Sequence, residues 1–550
     1  MGKIRTQLNW FSGGITNDPR DPARNVARYV ANFDILTSPR KMIPYRSSES
    51  GEDTVARTIR NYQVAVRTGS TFSLYGMGRT SAASDVVEIY YKDLTIGADN
   101  DLDDAQWTET ANNVSASGAP SYVFFTYYRQ TGRIYGAKGG NTYFAYDPTG
   151  SVAFDEDGAT HSASATYTEL SPGVIHSKDD NLYVGRYNNA GAGGSKSFVD
   201  KNDSGTWSLA ALTLPDHYIP TSICEWGNFL AIGCAHSDGV SNSRIFLWDR
   251  SETTPVLAES IDAGSGSLII LEEVDGELIA ISQKGGRAGD FGLVPRSAPV
   301  HRNKVIFRRL DGNTMVKIFE LQADHADYTS TTTINTTQLG ATKRKVDNRL
   351  LFEMLIELNG AVRSGIWSIG RSGPGQPFSL IHERTPNNNT ALTSASTSGP
   401  RGFFIAGDFL FQSYSSAGTF AISKTDDTAT YSHNSVWESK IFDGRDSNDP
   451  SIDASYYKDL HEISIQTEEL PTDGSVTVDY QVDENIGSES WTTLFTHSTD
   501  DSVSHSRHSG GATMPKDYKQ ISFRILATGG AIVTGFVFDE EEKGRKNITD

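Results

Sequence analysis

The stretch "WGNFLAIGCAHSDGVSNSRIFLWDR" (226–250) decides the fold. It opens on a tight-turn signal, Gly227-Asn228, and runs into a short apolar strand. It then breaks at a Ser-Asp-Gly turn and returns as a second strand rich in aromatic and apolar residues. Gly, Asn and Asp suit turns, while β-branched and aromatic side chains suit a pleated surface, so the stretch reads as paired strands. The same plan recurs in "STFSLYGMG" (70–78), "TGRIYGAKGGNTYFAYDP" (131–148), "DDNLYVGRYN" (179–188), "DGELIAISQKGG" (275–286) with "NKVIFRRLDG" (303–312), "DNRLLFEMLIELNGAVRSGIWSIGR" (347–371) and "AGDFLFQSYSSAGTFAISK" (406–424).

The first core-facing strand residue of each copy serves as an anchor: Leu74, Ile134, Leu182, Phe229, Leu278, Leu350 and Phe409. Successive anchors stand 60, 48, 47, 49, 72 and 59 residues apart. A period near 40–50 residues with turns between paired strands is the pattern of β-propeller blades. One blade cannot bury both its faces alone, and a radial arrangement covers each against its neighbours. The chain is therefore expected to be all-β, with a propeller of about seven blades over 56–430; six or eight blades fit as well. Two consecutive β-sandwiches with shared turn chemistry are the alternative.

Beyond Lys424 the texture changes. "LHEISIQTEEL" (460–470), "GSVTVDYQVDE" (474–484), "SWTTLFTHS" (490–498), "KQISFRILATG" (519–529) and "AIVTGFVFDEE" (531–541) alternate apolar and polar residues. Val476, Val478 and Tyr480 share one face, as do Ile521, Phe523 and Ile525. Period-two strands bounded by Asp-Gly and Gly-Gly turns predict an antiparallel β-sandwich over 431–550.

The opening "LNWFSGGITNDPRDPARNVARYVANFDILTSPRKMIPY" (8–45) has no sustained apolar period. Residues 21–36 fit a short helix, with Asp21 as N-cap and Pro22 at the first helical position, or irregular coil. Basic residues outnumber acidic ones there, on a chain of net charge −19. Residues 1–55 therefore read as an extended N-terminal arm that takes its order from neighbouring subunits.

The totals set limits. A chain of 550 residues with 37% hydrophobic and 21% charged residues can bury large cores. No run approaches the roughly 18 apolar residues of a membrane-spanning helix, and no secretory signal is visible. The acidic balance argues against wrapping nucleic acid, though an acidic wall lets a polyanion slide past. Cys224 and Cys234 fall on the two strands of one hairpin, out of register for a disulfide.

A search for catalysis returns little. "KNDSGTW" (201–207) is the stretch closest to the repeated Ser-x-Asp-x-Gly-x-Thr-Trp boxes of sialidase-type propellers, but it lacks the Ser, is one residue short and occurs once, and it reads as a Gly-containing turn before a strand. Trp248-Asp249 lacks the Gly-His partner of WD repeats. His505 and His508, with His497, have metal-like spacing but no convincing fourth ligand. "GGRAGDFG" (285–292) lacks the Gly-Lys-Ser/Thr ending of a phosphate loop. Asp179, Asp180, Glu272, Glu273, Asp347 and Asp408 sit mainly in turns. The expectation is no enzyme, no cofactor and no metal.

The opening stretch resembles the start of tail nozzle proteins of short-tailed bacteriophages and related tail-tube components. The matching residues are Gly13, Gly14, Ile15 and Thr16 with Pro19, then Arg24, Arg28, Asn25 and Asn32, and the run 35–45 containing Arg40. The resemblance implies a structural virion protein of the tail, assembled in the host cytoplasm. It implies a homo-oligomeric ring, commonly a hexamer, that docks on adaptor, portal and fibre proteins. DNA would pass through it without sequence-specific binding. In that reading Gly13, Gly14, Ile15, Pro19, Arg24, Arg28, Asn32 and Arg40 form the assembly arm. A receptor- or glycan-binding virion adhesin is the alternative reading, and a polysaccharide-degrading enzyme the third.

Overall fold

The computed structural model describes residues 3–15, 26–46, 49–54, 59–68, 71–79, 86–93, 107–109, 114–115, 124–137, 142–149, 155–160, 167–169, 173–188, 196–238, 241–253, 260–284, 304–322, 337–358, 361–385, 399–406, 409–416, 419–425, 431, 434–443, 456–487, 490–508 and 514–544. Among them the only helical element is the 3-10 turn Asp483–Asn485; the rest of the regular structure is strand.

Seven antiparallel sheets follow one another along the chain. Blade 1 is built from Ile59–Thr68, Thr71–Arg79, Val86–Asp93 and Val114–Ser115, and blade 2 from Phe125–Tyr128, Arg133–Ala137, Thr142–Tyr146 and Asp155–Thr160. Blade 3 has a first strand in two pieces, Tyr167–Glu169 and Val174–Ile175, followed by Leu182–Asn188, Lys196–Asp203 and Thr206–Leu214. Blade 4 comprises Tyr218–Trp226, Phe229–His236, Ser243–Trp248 and Ile261–Gly264. Blade 5 comprises Ser267–Val274, Glu277–Lys284, Lys304–Asp311 and Thr314–Gln322. Blade 6 comprises Thr337–Val346, Arg349–Leu358, Ala361–Gly370 and Ser379–Arg384. Blade 7 takes Gly399–Ala406, Phe409–Ser416 and Thr419–Thr425 from the end of the ring, and its fourth strand, Glu49–Thr54, from before blade 1.

Apolar side chains fill the junctions between successive blades. Tyr75, Phe125 and Phe144 lie between blades 1 and 2, and Phe124, Tyr143 and Leu182 between 2 and 3. Leu212, Ile223 and Phe246 lie between 3 and 4, Ala231, Leu268 and Leu278 between 4 and 5. Phe307 meets Phe352 between 5 and 6 with ring centroids 5.9 Å apart. Leu351, Ile366, Phe403 and Leu410 join 6 to 7, and Tyr62, Leu74 and Phe411 join 7 back to 1. The ring therefore closes, with seven blades. Each large apolar side chain buried in a junction contributes roughly 1.5–3 kcal/mol, so cohesion is spread around the circle rather than held in one core. All seven anchors fall on the second strand of their blades. Among the anchors whose side chains are described, Phe229 differs in orientation: it is exposed at the turn, and Leu230 is the core residue.

Two further sheets stand beside the ring. One runs Lys3–Leu8, Val533–Gly544, Tyr457–Thr467, Ser504–His508 in spatial order. The other runs Ala27–Ala31, Ser435–Ser439, Ile521–Thr528, Ser475–Val482, Thr492–His497, and through Ala27–Ala31 it is continuous with blade 6. They face each other across Phe523, whose ring lies 5.1 Å from that of Phe536 and 4.8 Å from that of Phe538. Val476, Val478, Ile521 and Ile525 are buried in the same core cluster as Phe523, Phe536 and Phe538.

The N-terminal reading needs correction. Residues 3–15 and 26–46 are not an arm reaching to a neighbour: Leu8, Phe11, Ile15, Val30, Phe33, Ile35 and Met42 are buried in the chain's own largest core cluster. The helix expected over 21–36 is replaced, within its described part, by strands Ala27–Ala31 and Phe33–Asp34. Ala27–Ala31 has strands on both sides and buried residues throughout. Such a strand shows no alternation in its sequence.

Candidate functional site

The residues singled out in the opening stretch converge on the seam between blade 6 and the facing sheets. Lys3–Leu8 pairs antiparallel with Val533–Gly544, placing Leu8 opposite Phe536. Phe11 then meets Trp437 edge-on at 6.0 Å. The chain turns at Gly13-Gly14, where Gly14 has φ +70°, and a Cβ there would lie 2.8 Å from the backbone N of Leu380. Only glycine meets both demands. Ile15 N–H donates to Leu380 O at 2.9 Å, and Ala27 N–H donates to Gly14 O at 2.8 Å.

Strand Ala27–Ala31 is wedged in next. It pairs antiparallel with Ser435–Ser439 and touches blade 6 through the parallel pair Ala31 and His382. Arg28 is buried and pairs with Glu438 at 3.3 Å, an acid that Arg363 of blade 6 also approaches at 3.8 Å. Arg28 also lies over the Trp491 ring at 5.5 Å, and Arg524 over the same ring at 4.8 Å. Asn32 adopts φ 58°. Its Nδ2 donates to Asn434 O at 3.2 Å, and its carbonyl accepts from Ser435 Oγ at 2.8 Å. Arg40 stacks over Trp10 at 5.8 Å. Pro19 and Arg24 lie outside the described residues. The basic character of the segment does find acidic partners, as charge complementarity demands, but on the same chain: Lys41 with Glu468, Arg28 with Glu438.

Two buried polar hubs lock this seam, and the sequence reading missed both. Arg349 of blade 6 pairs with Glu383 at 2.9 Å and Asp34 at 3.3 Å, and donates to Tyr45 Oη and Thr37 Oγ1 at 2.9 Å. Burial pushes the Asp34 carboxyl up, but Arg349 and donors from Thr37 and Leu36 outweigh it and hold it below its ordinary value. His382 stacks on Trp367 at 4.5 Å. Burial, reinforced by Arg363, depresses its pKa to about 3. The ring is therefore neutral; Tyr29 Oη donates to Nδ1 at 2.6 Å and Nε2–H donates to Ser364 O at 3.2 Å. Neither residue carries a sequence signal beyond its place in a strand.

The inner strands form a second polar feature. Lys343 of blade 6 donates to Ser222 Oγ at 3.2 Å and Ile223 O at 3.0 Å on blade 4, to Leu271 O on blade 5, and pairs with Glu272 at 2.8 Å. Its neighbour Arg344 donates to Tyr62 O of blade 1 at 3.0 Å and lies over Phe404 of blade 7 at 5.0 Å. Two adjacent side chains of blade 6 thus tie four other blades together across the ring's interior.

The turn carboxylates serve as latches. Asp179 accepts from Tyr183 Oη at 2.8 Å and pairs with Arg250 of the next blade at 3.0 Å. Burial raises its pKa, but these partners prevail and it ends below the usual range. Asp180 and Asp347 occupy left-handed turn positions, and Asp180 accepts from Gln130 of blade 2 at 2.8 Å. Glu273 pairs with Lys345. Arg371 of blade 6 holds Glu277 of blade 5 and approaches Asp275 at 3.5 Å. Asp408 and the Gly-rich run 285–292 lie outside the described residues. Ser204-Gly205 forms the turn expected in "KNDSGTW", and Trp207 stacks on Tyr143 at 4.0 Å. Trp248 is a packing residue. His497 and His505 stack at 5.5 Å, and Ser502 Oγ lies 3.0 Å from His497 Nε2. Among the described residues no group of three or more His, Cys, Asp or Glu is arranged to hold a metal ion. Cys224 and Cys234 are buried free thiols. No helix among the described residues is long and apolar enough to cross a membrane.

No family model matches the chain, and no curated protein matches it in sequence. Among solved structures it is similar to Trypanosoma rangeli sialidase, with 11% identity over 99% of this chain and 97% of that one, at a TM-score of 0.31. It is also similar to an alpha-L-arabinofuranosidase from Fusarium graminearum, with 10% identity over 70% of this chain and 97% of that one, at a TM-score of 0.31. The proteins of these names are enzymes, and the expectation that the chain is not an enzyme is withdrawn on that finding. The all-β propeller expected from the repeat stands.

Proposed function

We propose that the chain is a structural component of a phage tail, one building block of a homo-oligomeric ring. The observation that supports this reading most is where the opening motif lies. Gly14, Ile15, Arg28 and Asn32, the described core of the resemblance to tail nozzle proteins, occupy the seam where blade 6 and the terminal sheet become one continuous nine-stranded sheet. A body without a hinge between its two parts suits a conduit that withstands the passage of packaged DNA. In this reading the conduit is the lumen between copies rather than the propeller's own axis, because Lys343 and Arg344 span the ring's interior. The copies meet through surfaces other than the buried N-terminal segment.

The experiment is immunogold electron microscopy of phage particles with an antibody to the purified chain, alongside proteomics of the same particles. Label on the tail supports the reading, and particles that lack the chain overturn it. A glycan array and hydrolysis assays on sialosides and arabinofuranosides, run on the same preparation, test the adhesin and glycan-degrading readings. Tight glycan binding without tail label would favour the adhesin, and turnover would favour the enzyme.

A further inference from the structure

The wedge between blades 6 and 7 differs in chemistry from its neighbours. Strand register places Leu351, Glu353, Ser364, Ile366 and Ser368 on the blade 6 face that meets blade 7. Phe403, Gln412 and Ser423 lie across from them on one face of blade 7. The apolar filling among the described buried residues is Leu351, Ile366, Phe403 and Leu410, with none of the Tyr and Trp stacking that fills the wedge between blades 2 and 3. Beside this filling the wedge has buried polar groups without partners. Gln412 is 1% exposed, and neither its Nε2 nor its Oε1 has a hydrogen-bond partner. The Oγ atoms of Ser364 and Ser368 are likewise buried and unpartnered.

A primary amide brings two donors and two acceptor lone pairs, and leaving them all unmet in a dry interior is costly. Buried polar atoms in folded proteins are satisfied by protein or by ordered water, and internal water collects where several such atoms converge. Glu353 does not relieve Gln412: its Oε1 accepts from Gly402 N–H at 2.6 Å. We propose that the wedge between blades 6 and 7 is a hydrated seam, in which ordered water bridges Gln412, Ser364 and Ser368, and that the ring parts there before it parts elsewhere. The second half follows from the first. A wet wedge has less apolar area to expose on opening, and water already solvates its polar groups. The seam also separates blade 6, which is fused to the terminal sheet, from blade 7, which is closed by the incoming N-terminal strand Glu49–Thr54.

Two measurements on the full chain test this. A crystal structure that resolves solvent should place at least one ordered water within about 3.2 Å of the Gln412 amide; protein partners on both amide atoms would overturn the proposal. Native-state hydrogen exchange should show Gly399–Ala406 and Phe409–Ser416 opening about tenfold or more faster than Tyr218–Trp226 and Ser267–Val274. Uniform exchange around the ring, or fastest opening at another wedge, would overturn it. Gln412→Leu, with Gln412→Met as a second variant, removes the unmet amide and should slow exchange in blade 7. Unchanged or faster exchange in both variants counts against the seam.

Discussion

Gly14→Ala gives the sharpest quantitative test of the N-terminal seam. Gly14 has φ +70°, and an added Cβ would approach Leu380 N and Ser379 Cβ at 2.8 Å and Leu380 O at 2.9 Å. Two costs add. A non-glycine residue in the left-handed region costs roughly 1–2 kcal/mol, and forcing a methyl against packed backbone costs roughly 1–3 kcal/mol more. The expected loss is about 2–5 kcal/mol. Gly132 is the control, because it has φ +67° with nothing within 4 Å of its would-be Cβ. Gly132→Ala should therefore cost only the conformational part, about 1–2 kcal/mol. Urea denaturation followed by tryptophan fluorescence would report the difference, since Phe11 packs directly on Trp437. The experiment is run at two protein concentrations tenfold apart, because a contact within one chain has a midpoint independent of concentration. Equal losses at Gly14 and Gly132 would refute the close approach. A Gly14 effect confined to high concentration would refute the assignment of the segment to its own chain.

Other outcomes follow from the polar hubs. Arg349→Met should cost about 3–5 kcal/mol, since it strands the buried Glu383 carboxylate and the half-buried Asp34 carboxylate. Thermal or urea denaturation measures it, and a loss below about 1 kcal/mol would mean the hub is not coupled to folding. His382 has a folded-state pKa depressed to about 3 by burial and Arg363. Its stabilising contribution is complete above the unfolded value near 6.5 and drains as pH falls from there toward 3. The wild type should be about 2 kcal/mol less stable at pH 5 than at pH 7.5 through this group, and His382→Gln should flatten that slope. Asp34, Asp179 and Glu277 have lowered values, so their contribution is present above the ordinary carboxylate range and is lost only as pH falls below it. Lys343→Met should cost about 2 kcal/mol and loosen the inner strands of blades 4 and 5 in hydrogen exchange; unchanged protection there would separate Lys343 from ring cohesion.

The propeller was legible because each blade repeats a local signal. The tight turn after the first strand is marked by Gly, Asn or Asp, and the apolar second strand follows at once, so the seven anchors land on equivalent strands. What escaped was everything encoded by distance in sequence. The closing strand Glu49–Thr54 reads "ESGEDT", an acidic run with a glycine that no strand propensity would select; its place is set by the open edge of Thr419–Thr425. Ala27–Ala31 lacked period-two alternation because it is covered throughout, and its Arg28 looked like a surface charge because Glu438 is 410 residues away. The same distance explains the misread arm. A segment without its own apolar period has to borrow order, and sequence alone did not say that the lender was the far end of the same chain. Lys343, Arg349 and His382 were invisible for a related reason: each looks ordinary in its strand and acquires a role only from partners on other blades.

The most direct test of the account is a disulfide placed across the first terminal sheet. Arg5 lies opposite Asp539 in the register of Lys3–Leu8 on Val533–Gly544, and both native cysteines are buried. With Arg5→Cys and Asp539→Cys together in one chain, mild oxidation at low concentration should give a monomer with an internal crosslink between residues 5 and 539. Mixing chains that each carry one of the two substitutions should give no crosslinked pair. Efficient crosslinking between the singly substituted chains, with none inside the doubly substituted one, would contradict it, because the N-terminal segment would then belong to a neighbour.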